Sequence, residues 1–253
     1  EAGPRMGVGK AISILFAREG CKVLVVDKIL KNAEATVAAI SQEGGNAIAC
    51  AADVTKPDDC ESMVRSVLNC YGGLHVLINN AAIYIAEGPD GESSSSVVTI
   101  PESTWDNVMD VNLKSLMLTS KHAIPAIIAN GGGSIVNISS IGGLRGSRNG
   151  RISYNTSKAA VIGMTTMMAA QHGRDQIRVN CIIPGPIDTP MLPNDSQSLA
   201  VMATPLGTVG TAWDVAWASL FLASEEARWI TGAALPVDAG WLTQSPLSGQ
   251  PTK

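Results

Sequence analysis

Ile135, Val136 and Ile138 form a short apolar run that breaks off at Ser139, Ser140 and the Gly142–Gly143 pair, and a helix pattern opens further on at Ser153 and Tyr154. The run reads as a buried parallel strand that feeds a helix, which commits this region to an α/β arrangement. On that helix Tyr154 and Lys158 stand four positions apart, so they share a face one turn from each other. A free phenol titrates near pH 10 and is a poor base at neutrality, but a nearby cation favours the phenolate. At an effective dielectric of about 20, a unit charge about 4 Å away is worth roughly 4 kcal/mol, or about three pKa units. Tyr154 is therefore expected to titrate near neutrality. Ser140, at the strand end, is placed to hydrogen-bond the same substrate oxygen.

The remaining chain alternates in the same way. Gly3, Gly7 and Gly9 precede a helix from Lys10 to Glu19, with Ile12, Leu15 and Phe16 at helical spacing and Gly20 ending it. Such a turn lets backbone amides approach a pyrophosphate at the helix N-terminus. Lys22 to Asp27 reads as a buried strand ending in a carboxylate. An acid there accepts hydrogen bonds from ribose hydroxyls and repels a 2′-phosphate, which favours NAD over NADP; Lys28 and Arg5 pull the other way, since either is able to hold a phosphate. Asn32 to Glu43 reads as a helix, Ala47 to Val54 as a strand, and Pro57 to Cys70 as a helix with Met63, Val64, Val67 and Leu68 as its buried stripe. Leu74 to Asn79 is the next strand, closing on Asn79, Asn80, Ala81 and Ala82. Pro101 to Asn130 is helical with a break near Asp110 to Asn112. Ile177 to Pro184 forms a strand leaving the core at a Pro-Gly turn, Trp213 to Ala223 a helix, and Ala233 to Gly240 the last strand.

Composition narrows the field. With 253 residues and 45% hydrophobic content there is room for a large core, and 25 glycines with only 4% aromatics suit a tightly packed parallel sheet. A net charge of −4 without a basic cluster gives nucleic acid no footing. No apolar run is long enough to span a membrane, nothing at the start reads as a signal peptide, and a cytoplasmic location is expected. Five cysteines without Cys-x-x-Cys spacing suggest buried free thiols, and no metal site is expected. Sequons at Asn137, Asn155 and Asn194 read as chance, because the first falls in the core strand.

Asn-Ile-Ser-Ser followed by Tyr-x-x-x-Lys resembles the active-site stretch of the short-chain dehydrogenase/reductase family. Gly3, Gly7 and Gly9 match that family's Gly-x-x-x-Gly-x-Gly turn, and Asn79-Asn80-Ala81-Ala82 resembles its Asn-Asn-Ala-Gly strand end, with Ala82 in place of glycine. The likeness runs from Gly3 to Gly240. It implies a Rossmann-like doubly wound parallel sheet in a single domain over residues 1–253. Its catalytic set falls on Asn112, Ser140, Tyr154 and Lys158, with Ser140 chosen over Ser139 because it stands three before Gly143. Asn112 is implied to hold, through its backbone, a water that links the lysine to solvent. The implied cofactor contacts are Gly3, Arg5, Gly7, Val8, Gly9, Asp27, Asp53 and Val54 at the adenine edge, Asn80 bracing the sheet and Ala81 near the cofactor, Tyr154, Lys158, Pro184, Gly185, and Ile187 and Thr189 beside the nicotinamide. A substrate-capping segment is implied over about residues 189–212, and a homo-oligomer, dimer or tetramer, through the long helices.

The family opens with an apolar strand before the glycine turn, whereas this sequence opens at Glu1-Ala2-Gly3, so a sheet short of its first strand is expected. The reading is an NAD(P)-dependent oxidoreductase of secondary alcohols or ketones. Its rival is a non-redox scaffold or isomerase of the same fold; a serine hydrolase fails for want of Gly-x-Ser-x-Gly. Residues 87–99 are either part of a lid or an inert insertion, and Arg145, Arg148 and Arg151 either meet an anionic substrate or are solvated surface charges.

Overall fold

The computed structural model describes residues 5–84, 96–146, 151–191 and 204–244. Strands and helices alternate: α1 (Val8–Arg18), β1 (Lys22–Asp27), α2 (Leu30–Gln42), β2 (Asn46–Ala51), α3 (Pro57–Tyr71), β3 (Val76–Asn79), α4 (Glu102–Met109), a π-helical turn (Asp110–Lys114), α5 (Ser115–Ala129), β4 (Gly133–Ile138), α6 (Ile152–His172), β5 (Ile177–Pro184), the short β6 (Ile187–Asp188) and β7 (Gly210–Thr211), α7 (Ala212–Ala223) and β8 (Ala234–Val237). β3, β4, β5 and β8 form one parallel sheet in that order, with Ile78 opposite Val136 and Val136 opposite Asn180.

Alternation along the central strands explains the two helical layers. Ile135, Ile177 and Val179 turn to one face, where they pack with Met63 and Val64 of α3, Ala123 and Ile127 of α5, and Met168 of α6. Val136, Ile138 and Ile182 turn to the other, against Val215 and Leu222 of α7. Apolar side chains on both faces of a strand are what a sheet covered on both sides requires. The architecture is the doubly wound α/β sheet that the sequence predicts.

β1 and β2 form a separate parallel pair, and no strand hydrogen bonds join β1 to β3 among the described residues. Helices bridge the division. α1 packs Ile12 and Phe16 against Val23 of β1 and against Val76 and Ile78 of β3, while on the opposite face Met63 and Val64 of α3 share a cluster with Leu24, Val26 and Leu77. β1 and β3 both line a continuous cavity of about 2280 Å³ that runs on to the carboxyl ends of the strands.

Several local expectations change. β2 stops at Ala51, so Asp53 and Val54 lie in the turn after it. Leu68 is exposed, and Cys60 replaces it on the buried stripe of α3. Cys60 and Cys181 are buried free thiols, Cys21 and Cys50 half-buried, but Cys70 is exposed, because it lies beyond that stripe near the helix end. Gly3, Arg148, Asn194, most of the 87–99 stretch and residues 192–203 of the expected capping segment lie outside the described residues. No helix among the described residues is long and apolar enough to cross a membrane.

Among the described residues β4 is paired on both edges, whereas β1 has a partner only in β2. Amide hydrogen exchange is expected to be slowest in β4 and β5, with β1 amides exchanging about 100-fold faster or more. Equal protection in β1 and β4 would mean that the two sheets open together.

Candidate active site

Ser140 follows β4 and starts the 3₁₀ turn Ile141–Gly143, where its hydroxyl accepts a hydrogen bond from Gly142 N at 3.2 Å. Gly143 brings this turn against α6, since a Cβ there would lie 2.7 Å from the Lys158 carbonyl carbon. That close approach needs a residue without a side chain. The contact sets Ser140 beside Tyr154, close enough for its hydroxyl to pull the phenol's pKa down. Ser139 is turned inward, donating to Lys158 O at 2.7 Å.

Lys158 Nζ sits 5.7 Å from the Tyr154 ring centroid, so the helix places the pair side by side. The lysine is only 3% exposed, and its ammonium donates to Ile138 O at 2.9 Å. Burial lowers its pKa from 10.5 to about 8. Tyr154 departs from the expectation of a phenol near neutrality. Burial pushes its pKa up; the Ser140 hydrogen bond pulls it down, and the neighbouring Tyr84 raises it further. The sequence argument set a full cation beside an accessible phenol, whereas in the folded chain desolvation disfavours the charged form of both groups.

Asn112 is completely buried in the π-helical turn. Its Oδ1 accepts from Ile83 N at 2.8 Å, and its Nδ2 donates to Ile83 O at 3.0 Å and Ser157 Oγ at 3.1 Å. The side chain therefore ties the exit of β3 to α6. A second buried network, which only the fold reveals, runs below. Thr119 donates to Asn79 Oδ1 at 2.6 Å, Asn79 Nδ2 donates to Asn137 Oδ1 at 2.9 Å, and Asn137 Nδ2 donates to Thr165 Oγ1 at 2.9 Å. Asn79, not Asn80, braces the sheet; the polar residues inside apolar strands were the signal. The Asn80 amide instead lies against the glycine turn, where a Cβ on Gly9 would come within 2.8 Å of its Nδ2.

The cavity joins these groups to the rest of the expected set. Gly7, Val8, Gly9, Asp27, Asp53, Val54, Asn80 and Ala81 line it together with Ser140, Tyr154, Lys158, Pro184, Gly185, Ile187 and Thr189. Gly7 caps α1 without a side-chain hydrogen bond, so no side chain claims its first amides, and Gly7, Val8 and Gly9 line the cavity. Asp27 Oδ1 accepts from Ile29 N at 2.8 Å and from Asn32 Nδ2 at 3.3 Å. Lys28 pairs with Asp53 at 3.0 Å, which, after the Thr55 hydrogen bond, helps hold that carboxyl at about 2. Arg5 pairs with Asp188 at 2.6 Å. Arg145 is half-buried rather than a fully solvated charge, and it donates to Gln244 O at 2.7 Å and to Leu242 O. Arg151 stands over the Tyr84 ring, 5.0 Å from its centroid. No group of three His, Cys, Asp or Glu among the described residues is arranged to hold a metal ion.

A family model described as enoyl-(acyl carrier protein) reductase matches residues 2–242. The chain belongs to the short-chain dehydrogenase/reductase family. It is 36% identical to 3-oxoacyl-(acyl-carrier-protein) reductase FabG of Thermotoga maritima over 241 residues, 94% of each chain. It is 35% identical to cyclohexanol dehydrogenase of Acinetobacter sp. over 243 residues, 96% of this chain and 93% of that protein. Among solved structures, 7α-hydroxysteroid dehydrogenase complexed with NADH and 7-oxo glycochenodeoxycholic acid superposes with a TM-score of 0.85 at 31% identity, covering 93% of this chain and 90% of that one.

The burial of Lys158 has a measurable consequence. Its folded pKa of about 8 lies below the value of about 10.4 in an unfolded chain, so the unfolded state holds more protons between them and stability rises with pH through that window. Between pH 7.5 and 9.5 urea unfolding is expected to show wild type gaining about 2 kcal/mol relative to Lys158→Met. Parallel curves for the two proteins would show the ammonium to be solvated.

Proposed function

We propose that this protein is a nicotinamide-dependent oxidoreductase that interconverts a secondary alcohol and its ketone, with Tyr154 as general acid and base. The observation that carries the proposal is the placing of Ser140, Tyr154 and Lys158 side by side on the same cavity as the uncapped glycine turn and the Asp27 carboxylate. The lining suits a dinucleotide. Gly7, Val8, Gly9 and the α1 N-terminus would hold the diphosphate, and Asp27 the adenosine ribose. Asp53 and Val54 would meet the adenine edge, with Asn80, Ala81, Pro184, Gly185, Ile187 and Thr189 along the nicotinamide half. The bound cofactor supplies or accepts the hydride.

The chain itself handles the proton. In reduction Tyr154 gives its phenolic proton to the oxygen as the carbonyl becomes a carbinol; in oxidation it takes that proton back. Ser140 Oγ holds the oxygen in place. Lys158 offers a positive charge that favours phenolate, and that charge is lost as pH rises past about 8 in the free protein. Asn112 keeps α6 and the β3 exit in register and completes the proton path.

NAD is the preferred cofactor. Asp27 opposes a 2′-phosphate, and both nearby cations are already engaged, Lys28 by Asp53 and Arg5 by Asp188. Titration with NADH and NADPH, followed by nicotinamide fluorescence, tests this. NADH is expected to bind more tightly, Asp27→Ala to weaken it by about tenfold or more, and Tyr154→Phe to bind NADH while losing about 100-fold or more in turnover. Failure to bind either nucleotide would sink the proposal. NADH binding with no turnover of any secondary alcohol would favour a non-redox scaffold.

A homo-oligomer and a cytoplasmic location belong to the same proposal. Met117 and Ile128 on α5 and Met167 on α6 leave apolar surface exposed, and the cysteines are free thiols. Size-exclusion chromatography is expected to give a dimer or tetramer; a monomer at micromolar concentration would refute the assembly.

A further inference from the structure

Tyr84 is a large ring that belongs to none of the apolar clusters among the described residues, and it is 36% exposed where the cavity passes Tyr154. Its position is nonetheless tightly set. The preceding residue, Ile83, is held at both N–H and carbonyl by the buried Asn112 side chain. The Tyr84 and Tyr154 rings meet edge to face, with centroids 4.9 Å apart and planes at 89°. Arg151, at the start of α6, lies 5.0 Å from the Tyr84 centroid, within the range of a cation–π contact. Ile141 and Met191 line the same cavity.

We propose that Tyr84, steadied by Arg151, is the specificity-determining wall of the substrate site and selects carbinols and ketones carried on an apolar ring over those on a short open chain. A rigid ring lays its surface against a fixed aromatic without freezing rotors, whereas an open chain loses torsional freedom in the same place. The inference rests on the assignment of Ser140, Tyr154 and Lys158 as the reacting end.

The test uses cyclohexanol and 2-butanol as probes, with saturation-transfer-difference NMR on the intact protein, so that it needs no turnover. Replacing Tyr84 by alanine is expected to lower the cyclohexanol to 2-butanol signal ratio by about fivefold, and Tyr84→Phe to restore it, because the ring and not the hydroxyl makes the wall. The same ratio in wild type and Tyr84→Ala overturns the proposal, as does a ratio that Tyr84→Phe fails to restore. Nicotinamide fluorescence titration of the same samples separates the two claims. A wild type that ignores NADH would sink the oxidoreductase assignment, while the NMR ratio still decides the wall.

Discussion

The ammonium of Lys158, buried and held at the Ile138 carbonyl, is the constraint around which the carboxyl end of the sheet is built. A charged group so far from water is costly, and its pKa falls to about 8 in consequence. The same burial gathers β4, the 3₁₀ turn and α6 into one unit. The lysine reaches back to β4, its own carbonyl accepts from Ser139, and Gly143 packs on its backbone. Ser140 and Tyr154 are left as the pair that faces the cavity.

Two polar networks hold that unit against the rest of the fold. Asn112 reaches from the π-helical turn to Ile83 and Ser157, and the Asn79–Asn137 pair joins β3 to β4 with Thr119 and Thr165 on either side. Buried amides of this kind are stabilising only when every donor and acceptor is met, so they specify one register between neighbouring elements. The π turn is where the helix gives up regular hydrogen bonding to place a side chain. Tyr84, one residue beyond the Asn112 clamp, inherits its position from it.

Much of this was legible in the order of residues. Apolar runs closed by polar residues, with helical spacing between, placed the strands and helices within a few positions, and the family's motifs led to a single cavity. The electrostatics were not. A four-residue spacing says that Tyr154 and Lys158 are neighbours but not that both are desolvated, and it is desolvation that decides the direction of the phenol's shift. Nor does spacing show that Arg145 is consumed by the Leu242 and Gln244 carbonyls or that Lys28 is consumed by Asp53.

The periodicity of the chain determined the parallel α/β plan, because that depends on local spacing and on which faces must be buried, and the resemblance of its glycine, asparagine and Tyr-x-x-x-Lys positions to the family's motifs supplied the expected site residues. Tertiary structure alone decided the rest. It put Asn79 in place of Asn80 at the brace and set Tyr84 against Tyr154. Each of these depends on contacts between segments remote in sequence and on how much water the folded chain excludes, and neither is written in the order of residues.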